Sequence, residues 1–141
     1  MQTSRFLAKL IGPLLAVIGL ALIFNSDAFR AMAEEFLKSY ALIYIAGLLA
    51  LTAGLAIVNT HNLWTPDWRV VITILGWLFV IGGIFRIGFP RGVQSLGASI
   101  LTSAPNNWIM IEGGIFFALG AWLTYEGYRQ ISARSSRKGR K

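Results

Sequence analysis

Four apolar segments, each long enough to cross a lipid bilayer, dominate this sequence. They cover residues 6–24, 37–58, 70–88 and 108–125. A helix needs about 20 apolar residues to cross the ~30 Å hydrocarbon core of a bilayer. Because backbone polar groups in lipid must be paired within their own segment, each segment is predicted to be a transmembrane helix. The sequence therefore predicts an all-α membrane protein with four spans, forming a single domain over residues 1–128.

The distribution of basic residues predicts the orientation of these spans. The net charge is +7. Nine basic residues fall on one side of the four spans, namely Arg5, Lys9, Arg69, Arg129, Arg134, Arg137, Lys138, Arg140 and Lys141. Four fall on the other side, namely Arg30, Lys38, Arg86 and Arg91. Because Lys and Arg are enriched on cytoplasmic flanks, we expect a multi-pass protein of the bacterial inner (plasma) membrane with both termini in the cytoplasm.

A basic cytoplasmic tail, residues 129–141, is predicted to follow the last span. Its Ser, Arg and Lys content from residue 131 onward is typical of a disordered segment. Each basic side chain near anionic lipid contributes about 1 kcal/mol of attraction. The tail contains no aromatic residue that could stack on bases. We therefore expect it to contact anionic lipids of the bilayer and not nucleic acid.

Glycines recur at the same spacing in every predicted span. The pairs are Gly12 and Gly19, Gly47 and Gly54, Gly76 and Gly83, and Gly113 and Gly120. A separation of seven residues is two helical turns, so both glycines of a pair lie on one stripe of their helix. Small residues on a stripe allow membrane helices to approach closely. The spacing therefore predicts a tightly packed, mostly left-handed four-helix bundle.

The glycine positions also bear on an internal repeat. The offset in sequence from Gly12 to Gly76 is nearly the same as the offset from Gly47 to Gly113. The order of span, outer segment and span occurs twice along the chain. Two interpretations stay open at this point. Either a helical hairpin is duplicated, giving two parallel repeats about an axis along the membrane normal, or the 15 glycines align by chance.

Both outer segments are predicted to carry short amphipathic surface helices. Residues 25–39 place apolar side chains at helical spacing, with Ser26 as the predicted N-cap, and form either a short amphipathic helix on the outer interface or a helical lead-in to the second span. Residues 93–101 are predicted to form a second short helix between two prolines. On the inner side, Pro66 prevents one continuous helix from running through the link between the second and third spans.

Two charged residues in the predicted spans are the first candidates for function. Glu112 lies about one turn inside the last span, and Arg86 lies near the outer end of the third. An ionisable residue inside a span is costly and is a functional-site hypothesis by default. If the two spans are antiparallel neighbours, these side chains can form an ion pair. A structural ion pair is the favoured interpretation, and an ion or proton site, or gating by the pair, is the alternative.

The link between the second and third spans holds the other candidates. They are His61, Asn62, Trp64, Asp67 and Trp68. Zinc catalysis needs three protein ligands and bis-histidine haem needs two histidines, whereas this chain has one histidine and no cysteine. We therefore expect no metal site and no cofactor. Acid–base chemistry by His61 with Asp67 would lack a nucleophile, so we expect no enzymatic activity. The tryptophans are typical of an interfacial aromatic belt.

One short pattern around this link resembles a known group of proteins. It consists of His61-Asn62-Leu63-Trp64, then Trp68, Gly76-Trp77 and Gly82-Gly83. It resembles small uncharacterised bacterial inner-membrane proteins that have an HN-x-W segment followed by a GW-containing helix. The resemblance covers roughly residues 54–90. It implies an inner-membrane location and a shared role for the His61 segment, and it implies no particular activity.

The sequence favours a protein that works by association. The leading prediction is a non-enzymatic accessory, assembly or structural subunit. It would act through helix–helix and loop contacts, as a homo-oligomer or with a membrane-protein partner. The alternative is a small oligomeric channel or transporter that uses Glu112. Glu112→Gln separates the two, because a transporter would lose flux and keep its fold.

Overall fold

The computed structural model describes residues 2–105 and 107–138, with side chains described at residues 3–105 and 107–129. These ranges form six helices and no strand. The helices are α1 (Gln2–Phe24), α2 (Ser26–Lys38), α3 (Tyr40–Thr60), α4 (Arg69–Gly88), α5 (Pro90–Ser103) and α6 (Trp108–Lys138). Four of them, α1, α3, α4 and α6, are long and apolar enough to cross a membrane. The prediction of an all-α protein with four spans is therefore confirmed.

The short helices α2 and α5 connect spans at the same end of the molecule, here called the short-helix end. The opposite end, with the start of α1 and the His61 segment, is called the terminal end. Ser26 is the first residue of α2, and the N-cap position is occupied by Asn25. The Asn25 side chain makes no capping hydrogen bond. Ser39 instead caps α3, since its hydroxyl accepts from the Leu42 N–H at 3.3 Å. The span predicted from residue 37 therefore begins at Tyr40.

The second short helix is confirmed and is longer than predicted. It covers Pro90–Ser103, with Pro90 in its first turn. A proline is well tolerated there, because the N–H that it lacks has no partner inside the helix. A single residue thus separates each short helix from the span before it.

Helix α6 continues well beyond the predicted last span. It extends to Lys138, so the prediction of disorder from residue 131 is wrong as far as that residue. The segment 129–138 contains neither proline nor glycine, and Ala, Arg and Lys favour helix. A helix already nucleated in the membrane can therefore propagate through it. Residues 139–141 lie outside the described part of the chain.

The four spans pack as two tight antiparallel pairs, α1 with α6 and α3 with α4. All eight stripe glycines lie against the partner helix of their pair. A Cβ on Gly54 would lie 2.6 Å from the Val80 backbone nitrogen, and one on Gly83 would lie 2.6 Å from that of Leu51. Real Cβ atoms do not approach backbone so closely, so only glycine fits. The prediction that the stripes mark helix contacts is confirmed, although they hold two pairs together and not one uniform bundle.

The contacts within the pairs repeat at the offsets seen in the sequence. Gly83 of α4 faces Leu51 of α3, and Gly19 of α1 faces Phe117 of α6. The number of residues between Gly19 and Gly83 is the same as the number between Gly12 and Gly76. In the same way, the number between Leu51 and Phe117 equals the number between Gly47 and Gly113. These matched contacts favour an internal repeat over chance alignment. Each tight pair joins one helix from each half of the chain.

The hydrogen bonds between the short helices follow the same sequence offset. The Arg30 guanidinium of α2 donates from Nη2 to the Leu101 carbonyl at 2.8 Å. The Gln94 amide of α5 donates from Nε2 to the Leu37 carbonyl at 2.6 Å. Gln94 is the repeat equivalent of Arg30, and Leu101 is the repeat equivalent of Leu37. Two hydrogen bonds at equivalent positions therefore fasten the short helices to each other.

The two helix pairs meet in an apolar core at the terminal end. All four spans and the link before α4 contribute to it, through Leu7, Ala8, Ile11, Ile57, Trp68, Ile72 and Leu123. Ile72 and Leu123 are fully buried. This core joins the pairs at the terminal end, and a cavity lies between them at the other end.

Candidate functional site

A cavity of about 420 Å³ lies at the short-helix end, between the two helix pairs. Helices α1, α2, α4, α5 and α6 all contribute to its wall, which is mostly apolar. Leu22 of α1, Phe36 of α2 and Ile100 of α5 are typical members of this wall. The two charged side chains in the lining are Arg86 and Glu112. The volume falls in the usual range for small-ligand sites, about 300–1,000 Å³.

The structure brings Arg86 and Glu112 to one cavity but does not pair them. The Arg86 guanidinium donates from Nη1 to the Gly82 carbonyl of its own helix at 2.9 Å. Within the described residues, no Arg86 nitrogen lies within 4.0 Å of a Glu112 oxygen. The predicted direct ion pair is therefore wrong. It assumed that α4 and α6 are neighbours, whereas α4 packs on α3, α6 packs on α1, and the cavity separates them.

The chemistry of the cavity follows from these two charges. An arginine side chain carries five N–H donors, and one hydrogen bond to Gly82 accounts for a single donor. Within the described residues Glu112 has no hydrogen bond or ion pair, and it is half-buried. The cavity thus offers a cationic donor group and an anionic acceptor group set in apolar walls.

The second candidate region, at the terminal end, is a buried polar network centred on His61. His61 caps the end of α3 and is 2% exposed. Its Nε2 lies 2.9 Å from the Ser4 hydroxyl of α1, and its Nδ1 lies 3.3 Å from the Thr73 hydroxyl of α4. The Thr73 hydroxyl also accepts from the Leu63 N–H at 3.1 Å. One imidazole therefore fastens α1, α3 and α4 together.

The surroundings of His61 favour the neutral imidazole. Burial lowers the pKa of His61 below the ordinary value of 6.5, and the nearby positive charge of Arg69 lowers it further. A neutral imidazole carries one N–H and one free lone pair. With two hydroxyl partners, both ring nitrogens are satisfied. This arrangement is a structural latch, since Ser4 and Thr73 are buried as fully as His61.

The other predicted residues of the link take separate positions. Asp67 forms an ion pair with Arg69 at 3.5 Å and does not contact His61. Trp64 is 64% exposed, and its indole N–H donates to Asn62 Oδ1 at 2.9 Å. Trp68, predicted to lie in an interfacial belt, is instead buried in the apolar core. The link thus provides anchoring contacts and no paired acid and base.

Sequence reasoning missed the two hydroxyl partners of His61. Thr52 and Thr124 donate to the carbonyls four residues earlier in their own helices, and a threonine inside a helix commonly does so. Thr73 does not. It bonds instead to the link that folds back over the start of α4. Ser4 gave no signal, because it lies 57 residues from His61 in the sequence.

Comparison with known proteins adds no identification, since no family model, curated protein or solved structure matches this chain. The fold and the site themselves therefore define the class. This is a multi-pass α-helical membrane protein with a buried polar latch at one end and a charged cavity at the other.

Proposed function

We propose that this protein is a non-enzymatic subunit of the bacterial inner membrane that associates with another membrane helix through the outward face of α6. The observation that carries the proposal is the environment of Gly114. A Cβ at this position would have no neighbour within 4 Å, unlike one at any stripe glycine. Ala118 and Ala121 lie on the same face and are exposed.

The spacing of these residues suits a second helix. Gly114 and Ala118 are four residues apart, which forms the small-xxx-small pattern found where membrane helices cross closely. In lipid, association depends on van der Waals packing between helices, and a smooth groove permits it. The internal stripes of this chain already use that mechanism twice. A third such surface, without a partner among the described residues, supports association with a second copy or with another membrane protein.

The packing at the terminal end also supports a non-transporting role. Residues from all four spans close that end around Ile72 and Leu123. The residues lining the cavity come from the short-helix half of the spans and from α2 and α5. A solute entering the cavity would meet this core before it reached the other side.

The test is the oligomeric state of the purified chain in mild detergent. The double variant Gly114→Leu, Ala118→Leu should lose the associated species in native mass spectrometry, because two large side chains separate the helix backbones. Ala53→Leu is the matched control, since Ala53 is an exposed alanine on α3. A wild-type chain that purifies as a monomer with no protein bound, or an association that survives the double variant, would contradict the proposal.

A small channel or transporter using Glu112 is the second candidate. Its support is that Glu112 lies in a cavity without an ion-pair partner among the described residues. Reconstituted in liposomes, the wild-type chain would then carry a proton or cation flux that Glu112→Gln abolishes while the melting temperature is kept. Absence of flux from the wild-type chain argues against this candidate.

A further inference from the structure

The cavity at the short-helix end has a feature that association through α6 does not explain. It contains one positive and one negative side chain, Arg86 and Glu112, that do not neutralise each other directly. Keeping ionisable groups inside a membrane protein is costly, and such groups usually mark a site with a function. The cavity is large enough for a ligand that could meet both charges.

The two charges are absent from the equivalent positions in the first half of the chain. The position equivalent to Arg86 in the first half is Leu22, which lines the same cavity. The position equivalent to Glu112 is Ala46 in α3. Neither equivalent position carries a charge, so the two charges belong to the second half alone.

The position of the cavity suggests the source of the ligand. Arg86 lies in the last turn of α4, and Trp108 is the first residue of α6, so both are at the end of a span. This is the depth at which lipid headgroups meet hydrocarbon, and tryptophan is enriched there. The remaining wall, including Leu22 and Ile100, is apolar and suits the glycerol and acyl part of a lipid.

We propose that the cavity binds a zwitterionic phospholipid headgroup, with Arg86 donating to its phosphate and Glu112 accepting from its ammonium group. Such a headgroup carries one positive and one negative charge, and the cavity lining holds one charge of each sign without an ion pair between them. An anionic headgroup without an amine leaves Glu112 unpaired. A simple cation leaves Arg86 unpaired. A zwitterion satisfies both and adds no net charge to the site.

Lipid retention by the full chain tests this proposal. The protein, purified in mild detergent, is incubated with equal amounts of palmitoyl-oleoyl phosphatidylethanolamine and phosphatidylglycerol, and bound lipid is measured by native mass spectrometry. The wild-type chain should retain phosphatidylethanolamine in preference. Glu112→Gln should lower that retention about tenfold, since the amide oxygen of Gln can still accept from the ammonium group but its negative charge is lost. Glu126→Gln is the matched control, because Glu126 is also in α6 but pairs with Arg129 outside the cavity.

A second variant keeps the test decisive if Glu112→Gln fails to fold. Ala33→Phe places a ring in the cavity from α2 and leaves both charges intact, so it should also lose phosphatidylethanolamine while keeping a cooperative melting transition. Equal retention of the two lipids by the wild-type chain, or unchanged retention in a folded variant of either kind, would overturn the proposal.

Soluble O-phosphoethanolamine separates the two sources of this headgroup chemistry. Displacement of the bound lipid by this compound would support recognition of the headgroup alone. Retained lipid in its presence, together with the expected variant effects, would support an intact phospholipid as the ligand. The oligomer assay reports separately on the face of α6, so failure of one proposal is distinguishable from failure of the other.

Discussion

At the scale of single residues, the protonation state of His61 is linked to the stability of the fold. Its two ring nitrogens contact the hydroxyls of Ser4 and Thr73, and burial together with the charge of Arg69 lowers its pKa. A protonated ring would have two N–H donors, and the Ser4 hydroxyl would then need another acceptor for its own proton. The latch between α1, α3 and α4 is therefore strongest with a neutral imidazole.

This predicts that acid weakens the fold. The folded state holds the pKa of His61 below 6.5, so the unfolded state binds more protons as the pH falls through that value. The stabilisation is complete above pH 6.5 and is lost progressively at lower pH. The melting temperature in mild detergent should therefore decrease between about pH 7.5 and about pH 5.5.

His61 is the single histidine of the chain, which makes the control direct. His61→Gln should melt at a lower temperature than the wild-type chain at pH 7.5, because it loses buried hydrogen bonds worth about 1–3 kcal/mol when a partner is left unsatisfied. Its melting temperature should depend much less on pH in this window. The same pH dependence in both proteins would rule out His61 as the titrating group.

At the scale of elements, the helix pairs depend on glycine at each crossing. Gly120→Ala should destabilise the α1–α6 pair, because the added Cβ would collide with the backbone of Ala16. Overpacking costs about 1–3 kcal/mol, and it exceeds the roughly 1 kcal/mol that alanine gains over glycine in helix propensity when the backbone cannot move. The expected outcome is a clearly lower melting temperature.

Gly114→Ala is the matched control for this prediction. It makes the same substitution on the same helix, at a position where the added Cβ has no neighbour within 4 Å. It should leave the melting temperature unchanged or raise it slightly, since alanine is the better helix former. Equal effects of the two substitutions would show that contact between α1 and α6 does not decide the cost.

At the scale of the whole molecule, the orientation in the membrane is the property that gives each end its environment. In the sequence, nine basic residues lie on the side of the spans that carries the termini and four on the other side. By the positive-inside rule we predict cytoplasmic termini and a short-helix end that faces outward. A cysteine at Ser95 should react with impermeant maleimide in intact cells, and one at Ser135 should not. The chain has no native cysteine, so labelling is unambiguous; the reverse pattern would invert the assignment.

Much of this architecture could be predicted from the sequence, because bilayer thickness fixes the length of each span and close packing fixes the residues on its contact face. Which helix packs against which could not be predicted, since a glycine stripe such as Gly12 and Gly19 does not indicate the helix that it will contact. Assuming that helices adjacent in the chain are adjacent in space led to the incorrect Arg86–Glu112 pair. The Ser4–His61 contact was equally hidden, because no local pattern connects residues 57 positions apart.

The crossed pairing of the halves has a consequence for how the chain is made. Helices α3 and α4 are consecutive spans and can pair as soon as both have left the ribosome. Helix α1, in contrast, has its partner in α6, which begins only at Trp108. At about 5–20 residues per second of translation, α1 waits several seconds with Gly12 and Gly19 uncovered. The first span to be synthesised is thus the last to pack against its partner helix. A membrane factor that protects nascent helices would therefore be expected to bind α1 during this interval.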